Sequence, residues 1–176
     1  MFELPDNFVV RITPYDINDA LHQLARKLNA DYSGDEKLLV VMVANGGIYF
    51  GVDLTRLLNM PLLVDVVCVS SYENNQRTDN LKFNGKPKLN PNGLDVLLVD
   101  DIYDSGNTIE QLKCYYLDKG AKSVKSCVFI NKLVDGRNGQ PDYFCKTFEN
   151  EFAIGYGLDY NEFYRNFDFI GVKNND

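Results

Sequence analysis

Asp100 and Asp101 stand side by side at the end of an apolar run, Val96-Leu97-Leu98-Val99, and Asp104-Ser105-Gly106-Asn107-Thr108 follows shortly after. Two adjacent carboxylates are strong acceptors, suited to a ribose diol or to a Mg²⁺ ion and its waters. Small residues at Ser105 and Gly106 let the backbone close on phosphate oxygens, and the Ser105 and Thr108 hydroxyls can donate as well. Ile109 to Cys114 reads as the start of a helix closed by Gly120. The turn's N–H groups, added to the positive end of the helix dipole, then make a seat for a phosphate. The ligand that suits every part of this stretch is a sugar phosphate. A P-loop would need a Gly-Lys-Ser/Thr ending, whereas this turn offers Gly-Asn-Thr, so NTP hydrolysis is disfavoured. The same residues also fit an acid pair capping a helix in an ordinary α/β domain. On their own they leave both readings open.

The elements that must position these residues are legible as apolar runs. Val96 to Val99, Leu38 to Ala44, Leu62 to Ser70 and Ser123 to Ile130 predict strands of a mostly parallel sheet flanked by helices. A short strand is predicted over Asn7 to Thr13. A helix follows with Asp16 as its N-cap and Ile17, Ala20, Leu21, Leu24 and Leu28 as its buried stripe. His22 lies beside that stripe and reads as a surface or packing residue. After the second strand, Asn45-Gly46-Gly47 leads into a helix carrying Phe50, Leu54, Leu57 and Leu58. This repeats the strand–glycine–helix pattern, and fits a weak anion seat or tight helix–strand packing. A polar run from Ser71 to Gly93 predicts a long segment without regular structure, which in a compact domain is usually functional or mobile. Lys82, Lys86 and Lys88 within it read as solvated.

The chain has 176 residues, 45% hydrophobic and 24% charged, the make-up of one globular domain. A net charge of -7 disfavours a nucleic-acid partner, which normally needs a basic face. Cys68, Cys114, Cys127 and Cys145 form no C-x-x-C pair, and His22 is the sole histidine, so neither structural zinc nor a disulfide framework is expected. Reduced thiols fit a cytoplasmic protein. Met1 to Pro5 lacks the start of a signal peptide. The longest apolar run, Leu38 to Ala44, is too short to span a bilayer, so no membrane association is expected.

Val96 to Thr108 resembles the phosphoribosyl diphosphate (PRPP) motif of the type I phosphoribosyltransferases: four apolar residues, two acids, two mostly apolar residues, then Asp-Ser-Gly-x-Thr. Phe152-Ala153-Ile154-Gly155-Tyr156-Gly157-Leu158-Asp159, continuing to Arg165, is similar to the C-terminal segment of the 6-oxopurine branch, the hypoxanthine-guanine phosphoribosyltransferases. The resemblance covers nearly the whole chain. It implies conversion of hypoxanthine or guanine plus PRPP to the nucleoside monophosphate plus pyrophosphate, with Mg²⁺.

The resemblance also implies a role for each site residue. Asp100 and Asp101 would hold the ribose hydroxyls and serve as metal ligands, Asp159 would be a Mg²⁺ ligand near pyrophosphate, and Asp104, Ser105, Gly106, Asn107 and Thr108 would hold the 5′-phosphate. Asp104 would also take the proton from purine N7. An unperturbed aspartate, with a pKa of about 3.9, is ionised at neutral pH and able to accept it. Asn45, Gly46, Ser71, Tyr72 and Arg165 would face pyrophosphate, with a cis peptide just before the first glycine. Many relatives carry lysine or arginine where this chain has Asn45. Lys132 would donate to purine O6, Phe152 would stack on the base, and Ala153 and Asp159 would lie close to it.

In domain terms the resemblance implies a single unit over 1–176. A core of about 15–134 would carry a hood from about 1–14 and 135–176, and a mobile lid over about 71–93. A homodimer or homotetramer is expected. The competing reading is a PRPP-fold regulator that senses nucleotides without strong catalysis. The presence of Lys132, Phe152 and Asp159, and the acidic balance, favour the enzyme.

Overall fold

The computed structural model describes residues 4–34, 37–73 and 76–174, and of 70–81 the backbone alone. In chain order the elements are β1 (Phe8–Ile12), α1 (Pro14–Asp31), β2 (Leu38–Ala44), α2 (Gly47–Thr55), β3 (Leu62–Glu73), β4 (Gln76–Phe83), β5 (Asp95–Tyr103), α3 (Asn107–Asp118), β6 (Ser123–Lys132), β7 (Tyr143–Phe148), β8 (Ala153–Ile154) and β9 (Ile170–Lys173). The main sheet has the order β4-β3-β2-β5-β6-β7, parallel throughout except for the antiparallel β4. From β2 the chain runs outward to β3 and then returns to lay β5 on β2's other side. The order therefore reverses between β2 and β5, where open α/β sheets place their ligands.

The central strands are apolar on both faces because both faces are covered. Leu38, Val40 and Met42 join Leu97, Val99 and the stripe of α1 in one core. Leu39, Val41 and Val43 join Val96, Leu98 and the Ile109, Leu112 and Tyr116 face of α3 in the other. Truncating a fully buried leucine such as Leu97 to alanine should cost roughly 2–5 kcal/mol.

Four readings are corrected. The N-cap of α1 is Thr13, whose hydroxyl accepts from the Asp16 amide while the Asp16 carboxylate accepts from the Thr13 amide and hydroxyl. Asp16 is thus the third helical residue of a capping box. β5 runs on through Asp100 and Asp101 to Tyr103, so the acid pair sits within the strand's last turn of pleats. The segment after Ser71 is no structureless run: β3 and β4 form an antiparallel hairpin. Asp65 on β3 also ties down the chain beyond β4, accepting from the Lys88 amide at 2.7 Å and the Leu89 amide at 3.0 Å. Finally, 135–176 does not all belong to the hood. β7 pairs parallel with β6 and completes the main sheet, leaving β8 and β9 to form a three-stranded sheet, β1-β9-β8, with the N-terminal strand.

His22 is exposed, its Nδ1 2.8 Å from the Asn18 carbonyl. The four cysteines are free thiols. Among the described residues no helix is long and apolar enough to cross a membrane.

Candidate active site at the carboxyl ends of β2, β5 and β6

A cavity of about 530 Å³ opens at the sheet's switch point. Its floor is the end of β5: Asp100, Asp101, Ile102, Asp104 and, from the first turn of α3, Thr108. Strand register explains the next neighbour. Tyr103 pairs with Asn131 across the parallel β5–β6 ladder, so the residues after each, Asp104 and Lys132, emerge side by side. Lys132 Nζ lies 3.7 Å from Asp104 Oδ1. A third wall comes from the hood, with Phe152, Ala153, Leu158, Asp159 and Arg165.

Several groups in the cavity are electrostatically unsettled. Burial, followed by repulsion from Asp101, pushes the Asp100 carboxyl well above the usual carboxylate range. Burial raises Asp101 too, opposed by hydrogen bonds from Asp100 and the Ile102 amide and by the nearby Arg165 charge. Such a pair suits a cation or the hydroxyls of a diol. Across the cavity, Arg165 is already engaged. Nη2 lies 2.7 Å from Asp159 Oδ1 and 3.0 Å from Glu162, and Nη1 donates to the Gly157 carbonyl at 2.7 Å.

The turn after β2 adds Gly46 to the wall. A Cβ there would collide with the Asp101 carboxylate, and a Cβ on Gly157, at φ +101°, would collide with the Gly46 carbonyl. Acid pair, turn and hood therefore meet at one glycine. The peptide joining Ala44 to Asn45 is cis, where the resemblance places one.

Of the sequence-predicted residues, the cavity gathers Gly46, Asp100, Asp101, Asp104, Thr108, Lys132, Phe152, Ala153, Asp159 and Arg165. Phe152 is 44% exposed, so it is no core aromatic; its ring meets Phe8 and Tyr160 edge-on. Ser105, Gly106 and Asn107 are not part of the wall, although they continue from it into α3, whose N-terminus has no side-chain cap. Asn45 is exposed and outside the wall. Ser71 and Tyr72 lie in β3, with side chains outside the described residues.

The three acids expected to hold metal are not drawn together at one point. Asp159 spends one oxygen on Arg165 and the other on the Glu162 amide, and among the described residues no three acidic, histidine or cysteine side chains cluster as a metal site. Asp100 and Asp101 alone still suit Mg²⁺, which is commonly held by one or two carboxylates and completed by substrate phosphates and water. Sequence reasoning missed Glu151 in the wall and Glu162 beside Arg165; neither carries a pattern that could have flagged it.

Residues 15–161 match the phosphoribosyl transferase domain family. The chain belongs to that family. Among phosphoribosyltransferases, hypoxanthine-guanine phosphoribosyltransferase of Streptococcus pneumoniae is 35% identical over 167 residues, 93% of this chain and 91% of that one. The bifunctional protein TilS/HprT of Listeria innocua is 37% identical over 166 residues, 93% of this chain but 25% of that protein. In structure, hypoxanthine phosphoribosyltransferase of Trypanosoma cruzi in complex with IMP superposes with a TM-score of 0.90 at 28% identity, covering 99% of this chain and 98% of that one. The fold is thus the type I phosphoribosyltransferase fold expected from the two motifs.

Proposed function

We propose that this chain is a purine-salvage phosphoribosyltransferase, joining N9 of hypoxanthine or guanine to C1′ of PRPP and releasing pyrophosphate. The observation that carries the reading is the pairing of Lys132 with Asp104 beside the acid pair. A 6-oxopurine presents O6 and N7 on one edge. An ammonium and a carboxylate set next to each other answer that edge: Lys132 donates to O6, and Asp104 accepts from N7–H. Adenine places an amino group against the ammonium, so a buried donor would face a donor, and adenine is rejected.

In the reaction the N9 lone pair forms the bond to C1′ while the bond from C1′ to the pyrophosphate oxygen breaks. The N7 proton passes to Asp104, and the leaving electrons go to pyrophosphate. Asp100 and Asp101 hold the ribose hydroxyls, and the charge they carry when ionised favours the positive charge that develops on the ring. Asp104 and Thr108, with the amides that lead into α3, receive the 5′-phosphate. Phe152 stacks on the base, the Ala153 backbone faces its 2-position, and Arg165, held by Asp159, faces pyrophosphate. Ser71 and Tyr72 on the hairpin close over the cavity, and Gly46 borders the pyrophosphate side. Asn45, exposed and uncharged, adds no charge contact there. A bound Mg²⁺ would neutralise the leaving pyrophosphate, with Asp100 and Asp101 as its protein ligands.

We read the protein as a cytoplasmic homodimer or homotetramer that uses no nucleic acid and no membrane. The test is to incubate the protein with PRPP, Mg²⁺ and hypoxanthine, guanine, xanthine or adenine in turn. Nucleotide should form from 6-oxopurines and not from adenine, and should cease in chelator. Equal use of adenine, or no product from any base, would sink the assignment.

A further inference from the structure

The strongest unassigned feature is the segment after β6, a turn-rich junction in the sequence that does not line the cavity yet contacts Lys132 in its wall and the turn that leaves it for α3. The Arg137 Nη1 group donates to Asn131 Oδ1 at 2.7 Å and to the Lys132 carbonyl at 3.3 Å. The next residue grips the phosphate turn through its backbone. The Asn138 amide donates to the Ser105 carbonyl at 2.8 Å, and the Tyr103 hydroxyl lies 2.5 Å from the Asn138 carbonyl. That hydroxyl also lies 2.9 Å from Glu110 on α3, so one proton serves two acceptors. Tyr103 is 1% exposed, and burial followed by the hydrogen bond to Glu110 raises its pKa, so it remains a donor at any working pH. Gly106 completes the fit, because a Cβ there would collide with the Asn138 carbonyl.

We propose that Arg137 and Asn138 form a positioning strap, latched by Tyr103, that sets the separation between the base-reading lysine and the 5′-phosphate turn. The inference rests on the function proposed above, and extends it to three residues that touch neither substrate. Asn131 and Lys132 close a strand end, and the one guanidinium holds both the side chain of the first and the carbonyl of the second. Asp104 to Thr108 closes the neighbouring strand, and the Asn138 amide holds the turn's main chain from outside at Ser105. Because the two contacts are successive residues of one segment, base and phosphate are held at a fixed span. A nucleoside monophosphate needs that span, since its base and phosphate are joined through one ribose.

Two variants separate the two ends. Tyr103→Phe removes the latch and should raise KM for PRPP about tenfold while leaving KM for hypoxanthine within about twofold, the loss of one hydrogen bond made through the strap. Arg137→Met should do the reverse, raising KM for hypoxanthine about tenfold. Arg137→Lys, which keeps a donor, should recover part of that loss. A structural role alone would shift both KM values together. Amide exchange gives a second readout that needs no turnover: Ser105 to Asn107 should exchange faster in Tyr103→Phe, and Asn131 and Lys132 faster in Arg137→Met. Variants whose two KM values move in parallel, or whose exchange matches the parent, overturn the strap. If the parent protein makes no nucleotide, the proposed function fails, and exchange still decides the strap. If Arg137→Met does not fold, Arg137→Lys and Tyr103→Phe decide it by the same measurements.

Discussion

Two turns close the same end of the sheet, and both follow strand, glycine, helix. In the turn after β2, Gly46 has φ −64°, open to any residue, and is glycine because a side chain would strike Asp101. Its neighbour is as tightly confined: a Cβ on Gly47 would lie 2.7 Å from the Val99 carbonyl and 2.8 Å from Asp100 Cα. In the turn after β5, Gly106 has φ +78°, which side chains adopt with strain, and starts α3 by reversing the chain. The first turn uses glycine for room alone, and the second for shape as well as room, since a Cβ on Gly106 would also strike the Asn138 carbonyl. One lets α2 lie against the acid pair; the other turns the chain from β5 into α3. The same sequence pattern therefore reports two physical demands, and only the neighbours tell them apart.

Equivalent substitutions in the two turns test this contrast. Asp104→Ala should lower kcat by about 10²–10⁴, the usual contribution of a positioned proton acceptor, with the unfolding transition little changed. Kinetics like the parent's would remove Asp104 from the chemistry. Gly46→Ala should cost about 100-fold in kcat/KM, roughly 2.7 kcal/mol, because its methyl displaces Asp101; full activity would mean that the acid pair has slack. Gly106→Ala should act first on folding, costing about 1–3 kcal/mol for the left-handed backbone, readable as a lowered urea midpoint. An unmoved midpoint would contradict the division between room and shape.

A pH series sharpens the same point. The folded pKa of Asp100 is raised, so its favourable contribution is complete below its unfolded value and lost as pH rises through the folded one. As pH rises above the ordinary carboxylate range the ligand-free protein should therefore lose stability relative to Asp100→Asn, measured as a widening gap between their melting curves. Parallel curves would refute a raised pKa. Asn45→Ala, in the turn that supplies room, should change kcat/KM by less than about twofold, as exposed positions away from a site generally do.

Much of the frame was readable because its signals are local. Leu38–Ala44 and Val96–Val99 are apolar without a break and became central strands, and the α1 stripe is buried at each position named. The acids hid the true end of β5, since a strand that carries carboxylates into a cavity no longer reads as a strand. β4 was hidden for a related reason: Gln76 to Phe83 is mostly polar, as befits an edge strand exposed along one side. Within the site, the motif residues were legible as types in sequence. Their pairings were not: Lys132 meets Asp104 only through strand register, and Tyr103 reaches Asn138 across 35 positions of chain. Nor does sequence reveal that Arg165 is already occupied by two carboxylates, which depends on how the loop from 155 to 165 folds back.

β9 is the middle strand of the hood sheet, bonded on one side to β1 and on the other to β8, which carries Ala153. Those four residues are thus a keystone for a segment that begins nearly the whole length of the chain away. A protease that trims Ile170 to Lys173 would orphan two strands at once, and the aromatic platform beside Ala153 would go with them. Damage at the tail would also reach the parallel sheet, because Ile170 and Val172 lie in the same buried cluster as Leu97 and Val99.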